Sequence, residues 1–284
     1  MNQKFVFKLL SLLALLPFGV LYLFADIISF CIYYVVKYRR KVVNKNLTEA
    51  FPEKSSSEII SIEKKFYRYL GDQIVETLKL IHLSDENLKE RVVVNNYDLV
   101  NESLSEGRNA VLLLGHYNNW EWVQEITRYF LPESYMISIY HPLKNKTWDD
   151  FFIQLRSRWN AHIVPMKSAT RILLNRQNFP WVCGFIADAR PDHLHPEEDN
   201  VIDFLNHKTH FITGPEVIGD KTNADYFYLE MVRKKRGHYI INFSKIIPDN
   251  SEGSFPHLRQ FWKEFEKTIE KDPAYWLWSH KRWK

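Results

Sequence analysis

Between Leu9 and Val36 the chain runs through 28 residues of which Asp26 is the one formally charged member, and 17 of them are Leu, Ile, Val or Phe. On an insertion scale those side chains contribute roughly 5 to 10 kcal/mol in sum, against about 3 kcal/mol for one Asp near the centre. As one helix the segment would reach ~42 Å, longer than the ~30 Å hydrocarbon core of a bilayer. The sequence therefore predicts a membrane-anchoring helix. A cleavable signal peptide has a shorter apolar region that ends in a small-x-small site, whereas bulky Tyr33, Tyr34, Val35 and Val36 fill the exit here. Pro17 and Gly19 are places for a kink, which leaves open a segment lying partly in the interface. Lys37, Arg39, Arg40, Lys41 and Lys45 follow the run, against Lys4 and Lys8 before it. That bias predicts a body on the cytoplasmic side, with a basic cluster able to hold anionic head groups.

The remainder can build a full core, since 45% of the chain is apolar and 25% charged. Only 9 glycines are present, which disfavours glycine-rich nucleotide cradles, and two cysteines, Cys31 and Cys183, cannot frame a disulfide scaffold. A net charge of +4 is too small to argue for nucleic acid, but it suits an anionic membrane or an acidic protein partner. Strand-like runs are expected at 110–114, 135–140, 161–165, 181–187, 226–232 and 239–243. Helical runs are expected at 120–130, 148–159, 169–175 and 215–221, and a further helix begins in the Ser55–Ser57 run. The alternation reads as an α/β fold, a mixed sheet flanked by helices on both faces. Residues 1–41 then form an anchor with its basic flank, and residues 42–284 form one domain without internal repeats.

The most informative stretch is Val111-Leu112-Leu113-Leu114-Gly115-His116-Tyr117-Asn118-Asn119-Trp120-Glu121. An apolar strand ends at Gly115, and His116 follows at its carboxyl end, the edge where open α/β sheets bind ligands. A carboxylate five residues on, Glu121, can orient the ring so that its free nitrogen takes a proton. Neither Ser nor Cys neighbours His116, so a nucleophile would come from the substrate. The same residues also read as a capping box, Asn118-x-x-Glu121, with His116 satisfying a loop. Spacing alone leaves the two readings open.

Further landmarks carry a resemblance. Asn46-Leu47-x3-Phe51-Pro52-Glu53 follows the basic run, Tyr140-His141-Pro142-Leu143-Lys144-Asn145 precedes Arg156, and the chain ends Trp276-Leu277-Trp278-Ser279-His280-Lys281-Arg282-Trp283-Lys284. With His116 and Glu121 as an H-x4-D/E pair, these four landmarks in order resemble the bacterial lipid A biosynthesis acyltransferases over most of the chain. The resemblance implies a glycerolipid-acyltransferase-like fold and an inner-membrane enzyme. It would move a fatty acyl chain from acyl carrier protein to a hydroxyl on a lipid A precursor, without metal or cofactor. His116 would be the base, Glu121 its orienter, and Arg156 or Asn145 the oxyanion donor, with Arg158 an equally charged neighbour. Either arginine could instead bind a phosphate of the acceptor. His141, Asn160 and Asp188-Ala189-Arg190 depart from the family's usual Arg, Gly and Asp-Gln, which puts the acceptor in question and leaves the reaction type intact. Acylation of glycerophosphate or an aminolipid is the alternative within enzymes, and an inactive lipid-binding protein is the alternative outside them.

Two more clusters stand out. Asp188, Asp192, His193 and His195 have a spacing that could ligate a metal, although Pro191 and Pro196 suggest a polar loop. Arg233-Lys234-Lys235-Arg236 before Gly237 reads as a solvated turn, or as a dock for acidic protein or anionic lipid. Trp276, Trp278 and Trp283 read as packing and interface anchors.

Overall fold

The computed structural model describes residues 3–157, 159, 161–175, 179–191, 199–249 and 253–283. Its strands are β1 (Val92–Asn95), β2 (Asn109–Leu114), β3 (Tyr135–Tyr140), β4 (His162–Pro165), β5 (Trp181–Ile186), β6 (Val201–Phe204), β7 (His207–His210), β8 (Ala224–Lys235) and β9 (His238–Lys245). Seven of them form one sheet in the order β1-β9-β8-β2-β5-β3-β4, while β6 and β7 make a separate hairpin. From β8 to β4 all pairings are parallel; β9 turns back antiparallel to β8, and β1 runs parallel to β9. Strand β2 sits in the middle and is buried from Ala110 onward. Its side chains alternate between two cores, Val111 and Leu113 facing one and Ala110, Leu112 and Leu114 the other. An apolar run without polar alternation is what a strand covered on both faces requires.

The helices are α1 (Gln3–Leu15), α2 (Phe18–Phe30), α3 (Arg40–Ala50), α4 (Ser56–Lys79), α5 (Asp85–Arg91), α6 (Asp98–Ser105), α7 (Lys146–Arg156), α8 (Met166–Asn175), α9 (Gly214–Lys221) and α10 (Pro256–Lys271). Helix α4 starts in the serine run as expected, and there Ser55 and Glu58 close a capping box. Residues 120–129, expected as a helix, form 3₁₀ turns. They are pinned by fully buried Trp122, whose indole N–H donates to the Glu76 carbonyl at 3.1 Å. Strand β1 and the β6–β7 hairpin have no counterpart among the sequence expectations, and neither does α10. Yet Leu258, Phe261, Trp262, Phe265 and Ile269 give α10 a buried face at helical spacing.

The N-terminal run differs most from expectation. It is broken at Leu16-Pro17 into α1 and α2, because proline removes a backbone donor and clashes with the preceding turn. Phe18–Val35 remains long and apolar enough to cross a membrane, with a mean hydropathy of 1.9. However, α2 is not detached from the body. Leu21 and Ala25 are buried. A Cβ on Gly71 of α4 would collide with the Ser29 hydroxyl and the Ala25 carbonyl, so only glycine permits this crossing. The basic turn, expected to be solvated, holds the contact from the other side. Arg233 pairs with Asp72 at 2.7 Å, and Arg236 bonds both Asp72 at 2.8 Å and Asp26 at 2.7 Å.

Glu76 on α4 is the hub of this region. It is fully buried and accepts from Tyr22 at 2.9 Å, Asn119 at 2.7 Å and Tyr239 at 2.6 Å, so one carboxylate joins α2, the loop after β2, and β9. Burial pushes its pKa up, against the pull of those donors. Glu76→Ala leaves three donors without an acceptor and is expected to cost about 3 kcal/mol or more. The readout is the thermal midpoint of the detergent-solubilised chain. An unchanged midpoint would mean that the network adds no stability.

Candidate active site

Two adjacent parallel strands bring the site together. Leu114 of β2 pairs with Ile186 of β5, and two residues beyond each lie His116 and Asp188. The Ala187 N–H donates to the Leu114 carbonyl at 2.8 Å and carries the pairing past the strand ends. Asp188 then accepts from the His116 backbone N–H at 3.0 Å and lies 2.8 Å from the His116 Nδ1. The Trp276 indole donates to the same carboxylate at 2.8 Å. Gly115 gives the chain its path between strand and histidine, since a Cβ there would overlap the Phe265 ring.

This arrangement fixes the imidazole. A buried carboxylate facing Nδ1 makes that nitrogen the N–H, which leaves Nε2 as the lone-pair nitrogen. Burial disfavours the imidazolium, but the charge and hydrogen bond of Asp188 outweigh it and Glu121 adds to them, so the pKa lies above the ordinary 6.5. Burial would likewise raise the Asp188 carboxyl, but His116 and the Trp276 donor bring it below its usual range. The Trp120 ring meets the imidazole edge-on at 5.1 Å.

Glu121, expected to orient the ring, does something else. Its carboxylate forms a two-bond pair with Arg156, at 2.6 Å to Nη2 and 3.0 Å to Nε. The carboxylate that bonds the ring is thus Asp188, 72 positions from His116, and Glu121 acts on the imidazole through space. Nor does Glu121 close a capping box. Asn118 sits at φ +53 with its side-chain amide on the Met231 carbonyl at 2.8 Å, and Asn119 makes no side-chain cap.

Arg156, expected as an oxyanion donor, spends two of its three nitrogens on Glu121, and that carboxylate holds its pKa up in spite of burial. Asn145 is exposed and accepts from the Trp148 N–H at 3.4 Å, at the start of α7. Arg156 closes the same helix, ~15 Å away at 1.5 Å per residue. Asn145 therefore does not share an oxyanion position with Arg156. Arg158 lies outside the described residues, as do Asn160, Asp192, His193 and His195 of the sequence reading.

The C-terminal segment closes the site from behind. Its Leu277 N–H donates to the His116 carbonyl at 3.1 Å, and Tyr117 bridges to Trp276. Asn46 holds the carbonyls of Trp278 at 2.9 Å and His280 at 3.0 Å, and Arg39 holds that of Ser279 at 3.0 Å. His280 lies within the field of both His116 and Asp188. Arg282 is 4% exposed, and its Nε has no hydrogen-bond partner among the described residues. Burial draws its pKa down to about 10 against the charge of Asp188, which still leaves the guanidinium charged at neutral pH.

For metals, Glu216, Asp220 and His257 come together among the described residues. Glu216 is already used there: it accepts from the backbone N–H groups of His257 at 3.0 Å and Leu258 at 2.9 Å, capping α10. The sequence marks Asp188 as a metal ligand or acceptor contact, whereas the structure puts it on the His116 ring. The available signal was an acidic residue two places past a second apolar strand.

The family described as bacterial lipid A biosynthesis acyltransferase matches the chain over residues 3–284. Lipid A biosynthesis palmitoleoyltransferase of Escherichia coli (strain K12) is 22% identical over 260 residues, covering 88% of this chain and 80% of that protein. A lipid A biosynthesis acyltransferase of Shigella flexneri aligns with the same identity and coverage.

Proposed function

The chain belongs to the bacterial lipid A biosynthesis acyltransferase family, and we propose that it moves a fatty acyl chain from the thioester of acyl carrier protein to a hydroxyl of a lipid A precursor, with His116 as base and Asp188 as its positioning residue. The observation that carries this reading is the His116 Nδ1 to Asp188 contact of 2.8 Å, because it leaves Nε2 ready to accept a proton.

In the forward step Nε2 takes the hydroxyl proton while the oxygen attacks the thioester carbonyl. The imidazolium that forms is stabilised by Asp188, which stays ionised. The tetrahedral adduct then collapses: the C–S bond breaks, the thiolate leaves, and His116 returns the proton to sulfur. The products are an ester and a free thiol, with the histidine back in its starting state. Such assistance contributes roughly 10² to 10⁴-fold. The exposed cations Lys37, Arg39 and Lys41 suit the anionic cytoplasmic leaflet of the inner membrane, where an acidic donor protein and a membrane-held acceptor can meet.

The test is direct. Purified chain, acyl carrier protein loaded with a fatty acid, and a lipid A precursor are combined, and the product is read by mass spectrometry. A mass gain of one acyl group through an ester supports the reading. Transfer only to glycerophosphate, or no transfer with any acceptor, refutes it.

Within this reading Glu121 and Arg156 act as one unit beside His116. Arg156→Ala leaves the nearly buried Glu121 charge unpaired, and each single alanine variant is expected to lose roughly 10- to 100-fold in kcat, as for other residues that orient a site. The double variant should be little worse than either single. Additive losses would show that the two act separately. A rise in KM with kcat unchanged for Arg156→Ala would assign it to acceptor binding instead.

A further inference from the structure

One face of α2 is committed to the protein over most of its length. Tyr22 bonds Glu76, Asp26 pairs with Arg236, and Ser29 donates to the carbonyl of Arg68 at 3.3 Å. Before the Pro17 break, Lys79 of α4 holds the carbonyls of Ala14 and Leu16, both at 2.9 Å. Helix α4 is in turn locked into the body, since Glu76 also holds Asn119 and Tyr239. If the docked α2 crossed a bilayer, it would draw Asp72, Glu76, Arg233 and Arg236 toward the hydrocarbon, where charges are costly. If it detached to cross alone, those partners would be lost.

The opposite face is apolar and open. Val20, Leu23, Phe24, Ile27 and Phe30 recur at helical spacing and are 38% to 64% exposed. Leu12 and Leu15 of α1 are exposed as well. Beside the α2 stripe opens a cavity of about 430 Å³, with Phe30, Tyr33 and Tyr34 on one wall and Lys64, Lys65 and Arg68 on the other. Exposed Lys234 and Lys235 border the neighbouring groove, which shares Lys65 and Arg68. Apolar side chains level with tyrosines and lysines match the order of chemistry across one leaflet, from acyl chains through the interface to phosphates.

We propose that α1 and α2 lie flat in the surface of an anionic bilayer leaflet instead of crossing it, and that the groove between α2 and α4 receives the phosphates of that leaflet's head groups. The basic rim selects a charged leaflet over a second copy of the chain, whose own rim would repel it. The N-terminus then stays on the same side of the membrane as the sheet.

Sidedness tests the first half. In the full chain carrying Cys31→Ser, with Cys183 fully buried and so shielded from label, one accessible cysteine is placed at exposed Lys8 or at exposed Lys281. Each variant is treated with a membrane-impermeant maleimide from either side of the inner membrane, in spheroplasts and in inverted vesicles. The flat arrangement gives labelling of both positions from one and the same side. Labelling from opposite sides means a spanning helix and overturns the proposal. Flotation tests the second half, using vesicles of phosphatidylcholine alone or mixed with phosphatidylglycerol. Lys64→Ala and Lys234→Ala should each weaken binding to the mixed vesicles by roughly five-fold, with binding to neutral vesicles unchanged. Equal binding of wild type and variants to both vesicle types would remove the head-group site. Neither readout involves acyl transfer, so both stand or fall apart from the reaction proposed above.

Discussion

His116→Ala is expected to lower turnover by about 10³-fold with the fold intact. No serine or cysteine adjoins position 116, so no side chain there can take over as nucleophile. The loss should fall on kcat, because Nε2 acts on the reacting proton and not on the remote parts of either substrate. The fold should survive because Asp188 keeps two of its donors, the backbone N–H of residue 116 and the Trp276 indole. Initial rates with loaded carrier protein, paired with a thermal melt of the same preparation, separate the two effects. A stable variant with activity within tenfold of wild type would remove His116 as the base.

Asp188→Asn should be nearly as damaging, again on the order of 10³-fold, for a different reason. The amide is isosteric, but its N–H₂ can donate to Nδ1 and so hold the imidazole in the tautomer whose Nε2 carries the proton. A pH profile distinguishes this from a loss of packing. His116 works as a base only when neutral, so wild-type activity rises with pH through a pKa that Asp188 holds above the ordinary 6.5. Removing the Asp188 charge lets burial dominate, and the acid limb should move to lower pH while the plateau falls. Glu121→Gln should move the limb the same way by less, because Glu121 reaches the ring through space alone. If the limb of Asp188→Asn stayed in place and its plateau matched wild type, Asp188 would have no part in positioning the base.

Several of these features could be read from one-dimensional pattern. Val111–Leu114 announces a strand covered on both faces, and β3 runs over the residues expected for it. The Ser55–Ser57 run marks the start of α4. Other elements were missed because their signals are weak: β1 is only four residues long with alternate exposure, and β6 and β7 are equally short. The basic turn looked like a solvated loop because its acidic partners, Asp26 and Asp72, lie on helices more than 150 positions away.

The same division runs through the site. Gly115-His116 at the end of a buried strand places a histidine at a ligand-binding edge by local pattern alone, since periodicity records which side chains must leave water. The partner of that histidine is another matter. Glu121 is near in sequence but is taken by Arg156, while Asp188 meets the ring because β5 lies beside β2 with Leu114 opposite Ile186. Strand order and register follow from how whole layers pack, and no local periodicity encodes them. The N-terminal run obeys the same logic. Its apolar content can be read along the chain, but the fit of Ser29 and Ala25 against Gly71, and of Asp26 against Arg236, belongs to the tertiary structure, because those partners are far apart in sequence.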